Sequence, residues 1–335
     1  MGRRRSLGSL EEMNRKFWDN KNVLVTGAGG FKGSHLVERL SETNANIVSL
    51  IRSRNPKTYF ETQNLWKKST AVIGDLKNHR KIADILSKYE ITSVFHLGAQ
   101  PIVTTALLNP LETLESNIMG TVHILEAARL YSKVGEIVFV SSDKAYGPCD
   151  SVPYQEDERL EGKAPYDVSK SCADLISQVY ADPDVYNMPI TIARCANTFG
   201  PGDLNMSRIV PGTLEAIITN KPLKIRSDGK MIREYIYVKD SIDGYIALAE
   251  NIDRTKGQAF NLASRNVMSV TEIVHRISDI LRVSVEIEIL DQAKAEIPKQ
   301  YLDGSKIKKT IGWEPKIDFE EAIKKTFDWY KRILG

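Results

Sequence analysis

Residues 22–40 read NVLVTGAGGFKGSHLVERL. Val23, Leu24 and Val25 make a short apolar run that ends at Gly27. Gly27, Gly30 and Gly33 follow in GxxGxxG spacing, and Leu36, Val37 and Leu40 then recur at helical intervals. A strand, a glycine turn and a helix in that order let backbone approach a pyrophosphate, and the free N–H groups at the helix start face its charge. A plain glycine-rich turn is the alternative. The flanking strand and helix favour a dinucleotide site.

The pattern repeats outward from this stretch. NIVSLIR (46–52), STAVIGD (69–75), SVFHLGA (93–99), EIVFVSS (136–142) and PITIARC (189–195) are predicted strands. Helical spacing lies between them in HRKIADILSKY (79–89), NIMGTVHILEAARLY (117–131) and YDVSKSCADLISQVYA (166–181). Strands alternating with helices predict an α/β fold, a doubly wound parallel (Rossmann) sheet. Continuous apolar runs suit strands buried on both faces. Beyond Cys195 the rhythm loosens, which predicts a smaller C-terminal α/β substrate lobe. The expected organisation is a flexible tail over 1–16, a nucleotide-binding domain over 17–194 and a mainly substrate-binding lobe over 195–335. About 233–252 is expected to return to the first domain.

Composition limits the function. The 335 residues are 42% hydrophobic and 27% charged, which suits a packed soluble core. A net charge of +3 argues against a nucleic-acid-binding role. No apolar run approaches the roughly 20 residues a membrane helix needs. Arg3, Arg4 and Arg5 are not followed by the apolar core of a signal peptide. Cys149, Cys172 and Cys195 are scattered, with no CxxC and no metal-ligand cluster. A cytoplasmic protein with reduced thiols and no bound metal is expected.

Four places could carry chemistry. The glycine turn is the first. The second is the end of the second strand, LIRSR (50–54), where a nicotinamide site usually has an acid about 20 residues after the turn to hold the ribose 2′-OH. Arg52 and Arg54 stand there instead. Guanidinium groups suit a 2′-phosphate, which favours NADP over NAD. The third is Tyr-x-x-x-Lys, present as Tyr166…Lys170 and as Tyr235…Lys239. Tyr166 opens a helical segment, where positions i and i+4 lie about 6 Å apart. A cation at Lys170 can lower the phenol's pKa and make it a base. Tyr235 lies in an alternating stretch, where four residues span about 13 Å, so that match is read as coincidence. The fourth is VFVSSDKAYGP (138–148), where Ser142, Asp143 and Lys144 follow a core strand. An adjacent acid and base suit a reaction that needs a proton donor and acceptor at neighbouring carbons; a charged turn is the bland reading. His96 is expected to support the cofactor loop rather than to react.

These motifs together resemble the extended short-chain dehydrogenase/reductase family that acts on nucleotide-sugars. TGAGGFKG, HLGAQP, SNIMGT, YDVSK, RCANTFGPGD, REYIYVKD and IGWEP fall in family order from about Lys21 to Tyr330. The subgroup most similar is the CDP-glucose 4,6-dehydratases, on GFKGSHL with Lys32, HLGAQPIV, NIMGTVHILEAAR and SSDKAY. Arg52 is similar to the NADP-using GDP-mannose 4,6-dehydratases. The resemblance implies catalysis by Ser142, Asp143, Lys144, Tyr166 and Lys170, with Asp143 and Lys144 as elimination machinery. It implies cofactor contacts at Phe31, Lys32, Asp75, Leu76, Leu97 and Ala99, beside the glycines and Arg52. Substrate contacts are implied at Gln100, Ser142, Asn197, Arg208 and Arg233, the last three at or near a diphosphate. The expected partner is a nucleoside-diphosphate sugar, and helices 111–131 and 166–181 are expected to pair in a homodimer or a dimer of dimers. A C4 epimerase of the same family is the alternative activity, and a non-catalytic binding module is a third reading.

Overall fold

The computed structural model describes residues 13–149, 151–292 and 297–335. The apolar runs become strands β1 (Asn22–Thr26), β2 (Asn46–Ile51), β3 (Thr70–Ile73), β4 (Ser93–His96), β5 (Glu136–Val140) and β6 (Ile190–Cys195). The second half adds β7 (Asn197–Phe199), β8 (Leu223–Ile225), β9 (Ile232–Tyr237), β10 (Ala259–Leu262), β11 (Val267–Ser269), β12 (Ile287–Ile289) and β13 (Lys299–Gln300). Seven strands form one parallel sheet in the order β10-β6-β5-β4-β1-β2-β3. The chain winds outward from β1 to β3 and then returns to β4 on the other side. The crevice of such a sheet opens beyond the carboxyl ends of β1 and β4, where the winding reverses. β4 and β5 are buried along their whole length, whereas edge strand β3 is largely exposed.

The seventh strand, β10, escapes the sequence pattern. It has four residues, one of them the buried Asn261, and it pairs with β6 from Ala259↔Ile192 to Leu262↔Cys195. Helix Val238–Glu250 packs on β5, β6 and helix Phe31–Leu40. The helix predicted over 117–131 begins with a π turn, Glu115–Met119, before the regular helix Gly120–Tyr131.

Most of the expected tail lies outside the described residues, but its end is ordered. Met13 is buried, and Arg15–Trp18 forms a 3-10 turn. Trp18 is wholly buried and its Nε1 donates to Glu250 Oε1 at 2.6 Å. A large indole at Trp18, with one polar handle satisfied, anchors this segment to the core.

In the smaller lobe, β9 pairs with β11, β13 and β7, and β8 pairs with β12. Helix Val270–Leu281 starts on a capping box of Ser269 and Glu272. Among the described residues no helix is long and apolar enough to cross a membrane.

Candidate active site

A cleft of about 1570 Å³ lies between the sheet's carboxyl edge and the smaller lobe. Its floor is the glycine turn. Gly27 has φ +68°, and a Cβ there would lie 2.8 Å from Gly98 Cα. A Cβ on Gly33 would lie 2.2 Å from the Gly27 carbonyl oxygen. Helix Phe31–Leu40 begins at Gly30 with no side-chain cap, so its first N–H groups are left for a ligand. This cradle fits the pyrophosphate of a dinucleotide. Phe31, Lys32, Asp75, Leu76, Leu97 and Ala99 all line the same cleft.

His96 braces this floor. Its pKa is pushed down to about 3, chiefly by burial and then by the Lys170 charge, so the ring is neutral. Thr121 Oγ1 donates to the Asn117 carbonyl, so His96 Nε2 must donate to Thr121 (3.1 Å). Nδ1 then accepts from Thr26 Oγ1 (2.7 Å), which in turn accepts the Gly98 N–H (2.9 Å). The ring thus ties β1 to the loop that Gly27 must approach.

At the end of β2, Arg52 lines the cleft with its side chain 70% exposed, and Nη1 donates to Glu112 Oε1 at 3.3 Å. Arg54 instead pairs with Glu61 and lies over the Trp66 ring, outside the cleft lining. Gln100 departs from expectation. It is buried, and its side chain bonds Thr113 Oγ1, the Ile102 carbonyl and the Ile102 N–H. Those bonds turn the amide into the protein and away from the cleft, which removes it as a substrate contact.

The groups beyond β5 are brought together. Ser142 N-caps a 3-10 turn, Asp143–Tyr146, through the Lys144 N–H. Ser142 Oγ donates to Asp143 Oδ1 at 3.0 Å, and Lys144 Nζ lies 3.5 Å from Asp143 Oδ2. Asp143 is buried and Lys144 partly exposed. The turn is bolted from beneath. Tyr146 is wholly buried, donates to Asn261 Oδ1 at 2.7 Å and accepts from Arg194 Nη1 at 3.0 Å. Arg194 also grips Asp174 in two bonds of 3.0 and 2.9 Å. Such a bidentate buried pair is geometrically specific, and removing one partner strands the other. Ser171 Oγ donates to the Ala145 carbonyl at 2.7 Å and fastens the turn to helix Pro165–Ala181.

That helix carries Tyr166 and Lys170, both in the cleft lining. Lys170 Nζ donates to the carbonyl of Val140, the last residue of β5, at 2.7 Å, with the Phe139 ring 5.1 Å away. Burial, then the Lys32 charge, lowers its pKa to about 8. Burial pushes Tyr166 up to about 12, and the groups drawing it back are the Arg208 charge and a hydrogen bond with Ser142. The Arg208 charge thus acts on Tyr166 from the lobe side.

Asn197, Arg208, Arg233 and Tyr235 close the cleft from the lobe side. Arg208 Nη1 donates to Asp203 Oδ2 at 2.9 Å, Asn197 Nδ2 to the Glu234 carbonyl at 3.2 Å, and Arg233 Nη1 to the Ile232 carbonyl at 2.8 Å.

Residues 24–326 match the GDP-mannose 4,6-dehydratase family. The chain belongs to that family. It is 28% identical to a CDP-glucose 4,6-dehydratase of Salmonella typhimurium, over 95% of this chain and 93% of that protein. Among solved structures, UDP-glucose 4-epimerase of Thermotoga maritima, with UDP-glucose, has a TM-score of 0.86 at 26% identity, covering 94% of this chain and all of that one. A dTDP-glucose 4,6-dehydratase of Streptomyces venezuelae, with NAD, has a TM-score of 0.82 at 25% identity, covering 93% of this chain and 97% of that one. The proteins this chain resembles thus include both dehydratases and an epimerase on one scaffold.

Two further residues matter to the site: Asn117 falls in the SNIMGT motif, though the motif gives it no role, and Gln300 has no signal in the sequence pattern. Asn117, in the π turn, accepts the Gln100 N–H at 2.7 Å and donates to Ser169 Oγ at 2.9 Å, tying the loop after β4 to the Tyr166 helix. A π turn at such a place is a frequent mark of function. Gln300 reaches the Asp143–Lys144 pair from β13, and local spacing carries no trace of a contact so distant in the chain.

Proposed function

We propose that the protein is a nucleoside-diphosphate-hexose 4,6-dehydratase that yields an NDP-4-keto-6-deoxyhexose. The observation that carries this reading is the Asp143–Lys144 pair on the cleft wall beside Ser142 and Tyr166. An epimerase needs the tyrosine, the lysine and the cofactor, but has no use for a second acid–base pair. C4 epimerisation is the competing activity, since relatives of that kind share the scaffold.

The glycine cradle, with Phe31, Lys32, Asp75, Leu76, Leu97, Ala99, Tyr166 and Lys170 around it, would hold a nicotinamide dinucleotide. Bound there, it would supply reversible hydride storage, so that the hydrogen lost from C4 is restored at C6. Tyr166 takes the proton of the C4 hydroxyl, and the Arg208 charge stabilises its phenolate. Lys170 holds the floor at the end of β5. The C4 ketone acidifies C5–H, and Lys144 takes that proton. Asp143 protonates the departing C6 oxygen, which leaves as water, and Lys144 returns its proton to C5. Ser142 donates to Asp143 Oδ1 and would accept from the protonated Tyr166, a path from the proton gained at C4 to the one spent at C6. Asn197, Arg208 and Arg233 would hold the diphosphate. The test is turnover on a panel of CDP-, GDP-, UDP- and dTDP-hexoses, with a 4-keto-6-deoxy product expected from one of them.

The cofactor preference follows from Arg52, whose exposed guanidinium at the end of β2 suits a 2′-phosphate and supports NADP. Arg52→Ala should then weaken NADP far more than NAD. A charge-assisted contact is worth roughly 1.5–3 kcal/mol, on the order of tenfold or more in affinity. Equal losses for both dinucleotides in a binding titration contradict the contact.

A homodimer is part of the proposal. Leu111, Met119, Leu175 and Val179 are large apolar residues exposed on helix Pro110–Leu114, on the π turn that follows it and on helix Pro165–Ala181. Large apolar side chains exposed on adjoining elements support an interaction surface here. Light scattering at micromolar concentration should return twice the chain mass or a multiple of it. A strict monomer contradicts this.

A further inference from the structure

Gln300 lies in the smaller lobe, 156 residues along the chain from Lys144, and its side chain reaches the elimination pair. It is wholly buried. Its Nε2 donates to the Asp143 carbonyl at 3.0 Å, and its Oε1 accepts from Lys144 Nζ. One carboxamide therefore grips the backbone of the acid and the side chain of the base.

The strand that carries Gln300 is already pinned without this fork. Lys299 and Gln300 pair with Ile232 and Arg233 on β9. Tyr154 N donates to the Tyr301 carbonyl at 2.9 Å, and Leu302 N donates to the buried Glu234 Oε2 at 2.9 Å. A residue needed only to hold β13 in place would not have to reach Lys144. What the fork adds is a fixed direction for the amine. An amide oxygen steers it without adding a charge, whereas a carboxylate in that place would bind the ammonium and oppose release of its proton.

We propose that Gln300 is a positioning residue for elimination, setting Lys144 and Asp143 against C5 and C6 of the sugar. The inference rests on the dehydratase reading. It also joins two ends of the site, because Gln300 stands in register with Arg233, a candidate diphosphate contact. A substrate held at Arg233 then bears on the same strand pair that aims the base.

Gln300→Leu removes both bonds, and Gln300→Glu keeps the size but places a carboxylate on Lys144. Each variant is mixed with the hexose nucleotide that the wild type dehydrates. KM is expected to stay near the wild-type value while kcat falls about 10²-fold, the scale of a misplaced catalytic group. The 4-keto-hexose should accumulate, and deuterium wash-in at C5 from D2O should slow in parallel. Unchanged kcat in both variants overturns the role of Gln300. So does an equal loss in C4 oxidation, which would mean general damage to the site. If Gln300→Leu does not fold, Gln300→Glu decides alone. A wild type that yields only C4-inverted sugar overturns the dehydratase reading, and this inference with it, before any variant is compared.

Discussion

Lys144→Met is expected to oxidise C4 of the substrate and stop there. The substitution keeps the stem and removes the base, while Tyr166, Lys170 and the glycine cradle remain. The 4-keto-hexose should build up on the enzyme, with a rising absorbance of reduced nicotinamide and little 6-deoxy product. Asp143→Asn should stall later. Lys144 can still exchange the C5 proton with solvent, but the C6 oxygen lacks its acid and leaves poorly. Loss of a general acid or base typically costs about 10²–10⁴-fold. Both variants should lose product formation on that scale while keeping the first half-reaction. If both release product at close to the wild-type rate, the pair is a charged turn and the dehydratase reading loses its main support.

Tyr166→Phe should abolish the first step and everything after it. Only one oxygen is removed, so the fold should persist, and the loss is again about 10²–10⁴-fold. Neither 4-keto-hexose nor C5 exchange should appear, which separates this variant from those at Asp143 and Lys144. Tyr235→Phe is the control. The Tyr235 hydroxyl is buried with no hydrogen-bond partner in the structure, and its residue lies in strand β9 rather than at a helix start. Its removal should affect chemistry far less. Near-wild-type turnover by Tyr166→Phe contradicts the assignment of the base.

What the sequence made legible follows from how local each signal is. The β1 turn was readable because three glycines, a strand and a helix are contiguous. Ser142, Asp143, Lys144, Tyr166 and Lys170 were readable because each follows directly from a strand end or a helix start. Strand β10 was not, since four residues including Asn261 carry too little period to stand out. Gln100 was misread because its neighbours in HLGAQP border the cleft while its own amide turns inward to Thr113. Helical spacing fixes how near Lys170 is to Tyr166, but not that its ammonium donates to Val140 or that the Arg208 charge acts on the phenol. Arg208 and Gln300 act from across the cleft, and only the folded chain brings them to the reacting groups.

The most direct test of the central claim is the fate of one labelled hydrogen. Purified protein is given its hexose nucleotide with deuterium at C4, and the product is read by NMR and mass spectrometry. An NDP-4-keto-6-deoxyhexose carrying that deuterium at C6 is the predicted result. A C4-inverted hexose that keeps its C6 hydroxyl and its label at C4 contradicts the account.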